Sequence, residues 1–141
     1  MKLTKSVVGN QQIICLCKMA SDYKFCIEVG YQLHPSVWED NWSAILYGYI
    51  ESYTRQYNSN AMPVLKQMAK DRADAIADED TADATIVYAR QIQNYYEEHK
   101  DLFANDKYIR DTILKWIKER NLIVLRDRIT SAIEDGKLEQ A

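Results

Sequence analysis

The sequence predicts an all-α protein with a long last helix, and three observations carry this. Glycine occurs four times and proline twice in 141 residues, too few for the tight turns that a sandwich or barrel demands. Through most of the chain apolar residues recur at three and four positions, the spacing of one helix face. From residue 105 to residue 135 there is neither glycine nor proline, so nothing interrupts a final helix.

Apolar residues make up 47% of the chain and charged residues 28%, with ten tyrosines and three tryptophans; such a chain folds rather than staying disordered. One domain over residues 1–141 is expected, the head at about 1–100 and the long last helix at about 105–136. The net charge of −3 gives no basic field of the kind a nucleic-acid domain carries. Cys15, Cys17 and Cys26 are odd in number and lie among apolar neighbours, which predicts buried reduced thiols in a cytoplasmic protein. The charged start at residues 1–5 leads into an apolar stretch, residues 13–16, far too short for a signal segment or a membrane span.

The run IICLCKMA predicts a first helix, because Gln11, Gln12 and Ala20 beside it favour helix over strand. Ser21 or Asp22 caps a short second helix carrying Phe25, Ile27, Val29 and Leu33, broken at His34 and Pro35. Ser36 with Glu39 three residues on forms a capping box. A helix of about twenty residues should follow it, with Trp38, Trp42, Ile45, Leu46, Tyr49, Tyr53 and Tyr57 as its core wall. Asn58, Ser59 and Asn60 end it. Pro63 suits the first turn of a fourth helix with Leu65, Met68, Ala69, Arg72 and Ile76, and the DEDTAD stretch interrupts. Asp80 or Thr81 caps a fifth helix over about 82–100, striped by Tyr88, Ile92 and Tyr95.

Asn105 or Asp106 caps the last helix, and Gly136 stands where a left-handed turn ends one. Its stripe changes sides. At about 100° per residue, Ile109, Ile113, Trp116 and Ile117 share one sector, whereas Leu122, Leu125, Ile129, Ala132 and Ile133 fall near the opposite one. One small domain cannot bury both, so the two halves of this helix should serve different partners: the chain's own head, and either helix five folded back or another subunit. Trp116, Ile117, Leu122, Leu125, Ile129 and Ile133 are therefore the candidate interaction residues.

Catalytic apparatus is not legible. The glycines stand alone, no phosphate-binding P-loop is present, and His34 and His99 are far apart with no serine in a nucleophile elbow. A C-x-C pair on a helix sends its sulfurs to nearly opposite sides, so Cys15, Cys17, Cys26 and His34 read as thiols rather than a zinc site. Asp71, Asp74, Asp78, Glu79, Asp80 and Asp83 lack the ordered spacing of a calcium loop and read as a solvated face. Lys115, Lys118, Arg120, Arg126 and Arg128 are diluted by Asp111, Glu119 and Asp127, which allows at most a weak nucleic-acid contact. No catalytic residue, cofactor or metal is expected.

In order and spacing, these pieces resemble the N-terminal domain of DnaB-type replicative helicases, in particular the divergent phage versions. IICLCKMASDYKFCIEV is similar to the family's leucine-rich run, aspartate turn and next helix. LHPSVWEDNWSAILYGYIESYTRQY is similar to its block of leucine, short turn, aromatic, acidic pair and amphipathic helix ending in tyrosines, although Trp42 stands where the family often has histidine. Pro63, Val64 and Leu65 look like the start of the following helix. DKYIRDTILKWIKERNLIVLRDRITSAIEDGKLEQA is similar to the hairpin helix, with Tyr108, Arg120, Ala132, Ile133 and Gly136 as matched positions. The resemblance implies a non-catalytic scaffold built as a small helical globular head plus a long C-terminal helical hairpin, self-associating into a collar that a primase or helicase loader engages, in the cytoplasm of a bacterial host and away from membranes. It also implies that a linker helix and an ATPase domain would follow, so the chain reads as an excised domain or a free-standing version. A different class of function is a stand-alone phage accessory protein that binds a replication factor.

Overall fold

The computed structural model describes residues 7–33 and 35–140, with side chains described for residues 11–33 and 36–136. The charged start at residues 1–5 and the expected helix breaker His34 lie outside the described residues. Every regular element among them is helical, and the chain is all-α as the glycine and proline scarcity requires.

Helix α1 (Val7–Ser21) is the centre of the head. Ile13, Cys15, Leu16, Cys17, Met19 and Ala20 are all buried, so it is apolar nearly all round, as a helix with neighbours on every side must be. Those neighbours are α2 (Tyr23–Gly30), α3 (Asn41–Tyr57), α5 (Glu79–Glu98) and α7 (Asp106–Gln140). The Asp22 carboxylate accepts from the Phe25 N–H at 3.1 Å, which caps α2 and lets the chain turn sharply out of α1.

The third helix starts later than the expected capping box. Ser36 lies in a 3₁₀ turn, Pro35–Val37, and α3 begins at Asn41, capped by Asp40, which accepts from the Ser43 N–H at 2.7 Å. The cause is burial: Val37 and Trp38 are drawn into the core, Trp38 against Trp116 with ring centroids 5.6 Å apart. The Glu39 N–H is taken by Gln12 Oε1 at 2.9 Å instead of by the Ser36 hydroxyl that a capping box would supply. The core line of α3 also differs from the aromatic ladder. It is Ser43, Leu46, Ile50 and Thr54, while Trp42, Tyr49 and Tyr53 are half-buried beside it and Tyr57 is exposed. Small side chains at Ser43 and Thr54 permit close helix approach, and the large rings cover the flanks. Asn58, at φ 47°, ends the helix in the left-handed region, which asparagine tolerates.

Pro63 sits in the 3₁₀ turn Met62–Val64 ahead of α4 (Leu65–Asp71), which stops before the expected Arg72 and Ile76. A second 3₁₀ turn, Ala73–Ala75, then leads to α5, with Asp78 at its cap position. Helix α5 lays Ala82, Thr85, Tyr88, Ala89 and Ile92 against α3, α4 and α1. It ends at Glu98. The ring of His99 stacks on Tyr95 at 4.0 Å, and a short helix that the sequence reading missed, α6 (Lys100–Ala104), inserts Phe103 beside Tyr96.

Helix α7 is 35 residues long, about 52 Å at 1.5 Å per residue. Asn105 Oδ1 accepts from the Tyr108 N–H at 3.4 Å at its start. The expected stop at Gly136 is absent: the helix runs on to Gln140, and no glycine among the described residues has a positive φ. Ile109, Ile113, Trp116 and Ile117 are at most 1% exposed. Past Asn121 no residue through Gly136 is buried. Trp116→Ala should therefore remove about 3–5 kcal/mol of stability, whereas Leu125→Ala in dilute protein should stay within about 0.5 kcal/mol of the parent, as urea denaturation will measure.

Candidate assembly surface

Four polar contacts fix the first half of α7 on the head. Lys18, whose side chain is 7% exposed, bridges Asp22 at 2.9 Å and Asp106 at 2.6 Å, tying the α1–α2 turn to the first residue of α7. Arg110 Nη2 donates to both carboxylate oxygens of Glu28, at 2.8 and 2.9 Å, and its guanidinium lies over the Phe25 ring, so a charge-assisted contact and a cation–π contact hold the same side chain. Arg120 Nε donates to the Val37 carbonyl at 2.9 Å, and Asn121 Nδ2 to that of Gln32 at 3.0 Å. These anchors fall on the same half of the helix as Ile109, Ile113, Trp116 and Ile117, so apolar packing and polar contacts agree on where the head ends.

Beyond them the second stripe is bare. Leu122 is 59% exposed, Leu125 53%, Ile129 52% and Ile133 53%. Of the two partners open to it, helix five is excluded: α5 packs on α3, α4 and α1, and leaves this stripe uncovered. Trp116 and Ile117 differ from the other four candidate interaction residues: both are buried in the head's own core, and of the two Ile117 also walls the groove at the root of the stripe. At the root the stripe runs into a groove of about 540 Å³ lined by Gln32, Leu114, Ile117, Lys118, Asn121, Leu122 and Leu125. The sequence gives no sign of this groove, which exists because the turn after α2 brings Gln32 alongside α7. The anchors were equally hidden, although Lys18, a lone charge within the apolar run IICLCKMA, is the trace that one leaves.

Other candidate groups separate in space or face water. Asp71, Asp74, Asp78, Glu79, Asp80 and Asp83 are exposed, and among the described residues no three His, Cys, Asp or Glu side chains are placed to hold a metal ion. Cys15, Cys17 and Cys26 are buried and unpaired. Burial pushes all three thiols up, Cys26 to about 11 and the others further, which keeps them as inert thiols. Of the basic residues on α7, Lys115, Lys118, Arg126 and Arg128 are exposed, and Arg120 is held at Val37. No helix among the described residues is long and apolar enough to cross a membrane.

The Lys18 clamp makes stability depend on pH. Partial burial opposes ionisation of Asp22, but hydrogen bonds from Lys18 and the Phe25 N–H, with the charges of Lys18 and Arg110, outweigh it and hold the carboxyl below its usual range. A carboxyl lowered on folding contributes stability above its unfolded value of about 3.9, lost as pH falls through the folded value. Asp22→Asn, which keeps the α2 cap, should flatten the acid limb of a urea-denaturation profile between about pH 5 and pH 2. The three thiols should resist a disulfide reagent at pH 8 in the folded protein and react fully once it is denatured. No protein-family model, curated protein or solved structure matches this chain.

Proposed function

We propose that this chain is a non-catalytic assembly and docking module that pairs with copies of itself through the second half of α7. It would act as the N-terminal domain of a DnaB-type, phage-like replicative helicase acts, forming a collar for a primase or helicase loader. The reading is carried by the uncovered stripe of Leu122, Leu125, Ile129 and Ile133 on a helix anchored only at its root. The order of helices and the long terminal rod support the family assignment, which rests on resemblance.

The energetics favour a weak, concentration-dependent assembly. Full burial of a Leu or Ile side chain contributes roughly 1.5–3 kcal/mol, and with half the surface still exposed about 1 kcal/mol remains to be gained from each. Two copies supply eight such side chains, roughly 8 kcal/mol against an association cost of about 4–15 kcal/mol. Further contacts from the groove and from flanking charges must decide the balance. Light scattering from about 1 μM to about 1 mM, a span that covers about 4 kcal/mol of affinity, should show mass rising above that of one chain. Leu125→Glu with Ile129→Glu should abolish the rise and leave helicity and the unfolding midpoint of the head unchanged. A mass fixed at one chain throughout, or an assembly indifferent to both substitutions, would refute the reading.

A further inference from the structure

The charge pattern of α7 points to the polarity of the pairing: we infer that the second copy lies antiparallel, its distal end seated in the groove at the root of the rod. This deepens the assembly reading above and rests on it. Between residues 115 and 128 there are five basic and two acidic residues, and between 129 and 141 one basic and three acidic. Lys115, Lys118, Glu134 and Asp135 are all exposed. A parallel pair stacks like on like at both ends, Lys118 facing the partner's Lys118. An antiparallel pair lays each acidic end over the other copy's basic root, and the two helix dipoles then oppose as well.

The spacing of the face supplies a register. Lys118, Leu122, Leu125, Ile129, Ala132 and Gly136 follow one another at four and three residues and share one line along the helix. In the antiparallel register that sets Leu125 opposite the partner's Ile129, Leu122 meets the partner's Ala132 and Lys118 meets the partner's Gly136. This accounts for two features that a lone chain does not explain. Gly136 sits inside a continuing helix, where glycine is unfavourable, and a side chain built on it would touch nothing within 4 Å. Opposite Lys118, its missing side chain gives the lysine stem room to cross to Asp135. The second feature is the groove itself, whose Leu114 and Leu122 walls continue the bare stripe into the head. The partner's distal turns fill it.

Single-cysteine variants separate the possibilities. With Leu122→Cys and Ala132→Cys made in separate chains and mixed under a mild oxidant, the antiparallel register gives a disulfide-linked pair containing one of each. Each variant alone gives no more than the parent protein, because 122 and 122 lie ten residues apart along the rods, about 15 Å. Charge exchange is the second arm. Lys118→Glu should weaken the pair at least about fivefold, and Asp135→Lys in the same chain should restore it. If each cysteine variant links to itself and Lys118→Glu has no effect, the pair is parallel and the polarity is refuted while assembly stands. If the parent protein remains a single chain at every concentration, both readings fail and the stripe belongs to another protein.

Discussion

The first half of α7 is held on the head by Ile109, Ile113, Trp116 and Ile117, and the rest of the molecule is organised by the fact that this face cannot continue. A straight helix turns about 100° per residue, so the shift of the apolar stripe at residues 122–125 carries it to the far side of the rod. Whatever covers Trp116 is then geometrically unable to cover Leu125. Burial of the first four at 0–1% and exposure of Leu122, Leu125, Ile129 and Ile133 at 52–59% follow from that rotation. Lys18, Arg110, Arg120 and Asn121 add direction: they lock the root in one orientation, and the rod projects the second stripe at a defined angle to the head.

The same division has a consequence for local stability. Most helical stability in proteins comes from packing of an apolar face, and beyond Asn121 α7 runs nineteen residues to Gln140, with none buried through Gly136 and with Ile123 and Val124 half-buried at its base. It remains helical by propagation from the anchored half, without a second nucleation step. A segment of this kind gains order when something covers its apolar face.

Much of this was legible in the sequence, for physical reasons specific to each element. The scarcity of glycine and proline dictates the all-α class, and the reversal of the stripe alone separates Ile113 from Ile129. Local rules failed where tertiary burial overrode them. Ser36 and Glu39 satisfy the capping-box pattern, yet the core claims Val37 and Trp38, and Asp40 caps α3 in their place. Gly136 satisfies the stop pattern, yet the helix runs on through it to Gln140. The aromatic ladder of α3 is real as a period but displaced, since Ser43 and Thr54 mark the line of closest packing and a period count cannot see their small size as an advantage. On the last helix, Leu122, Leu125, Ile129 and Ile133 are exposed while Trp116 and Ile117 are buried in the head, and the groove beside Gln32 depends on a long-range contact that no local pattern encodes.

The most direct test of the central claim is hydrogen exchange along α7 as a function of protein concentration. If a second copy covers the stripe, amides between residues 122 and 136 gain protection as concentration rises while those of α1 and the root of α7 stay constant. Protection of the rod that is the same in dilute and concentrated protein would contradict the account, because its apolar face would then have no self-partner to find.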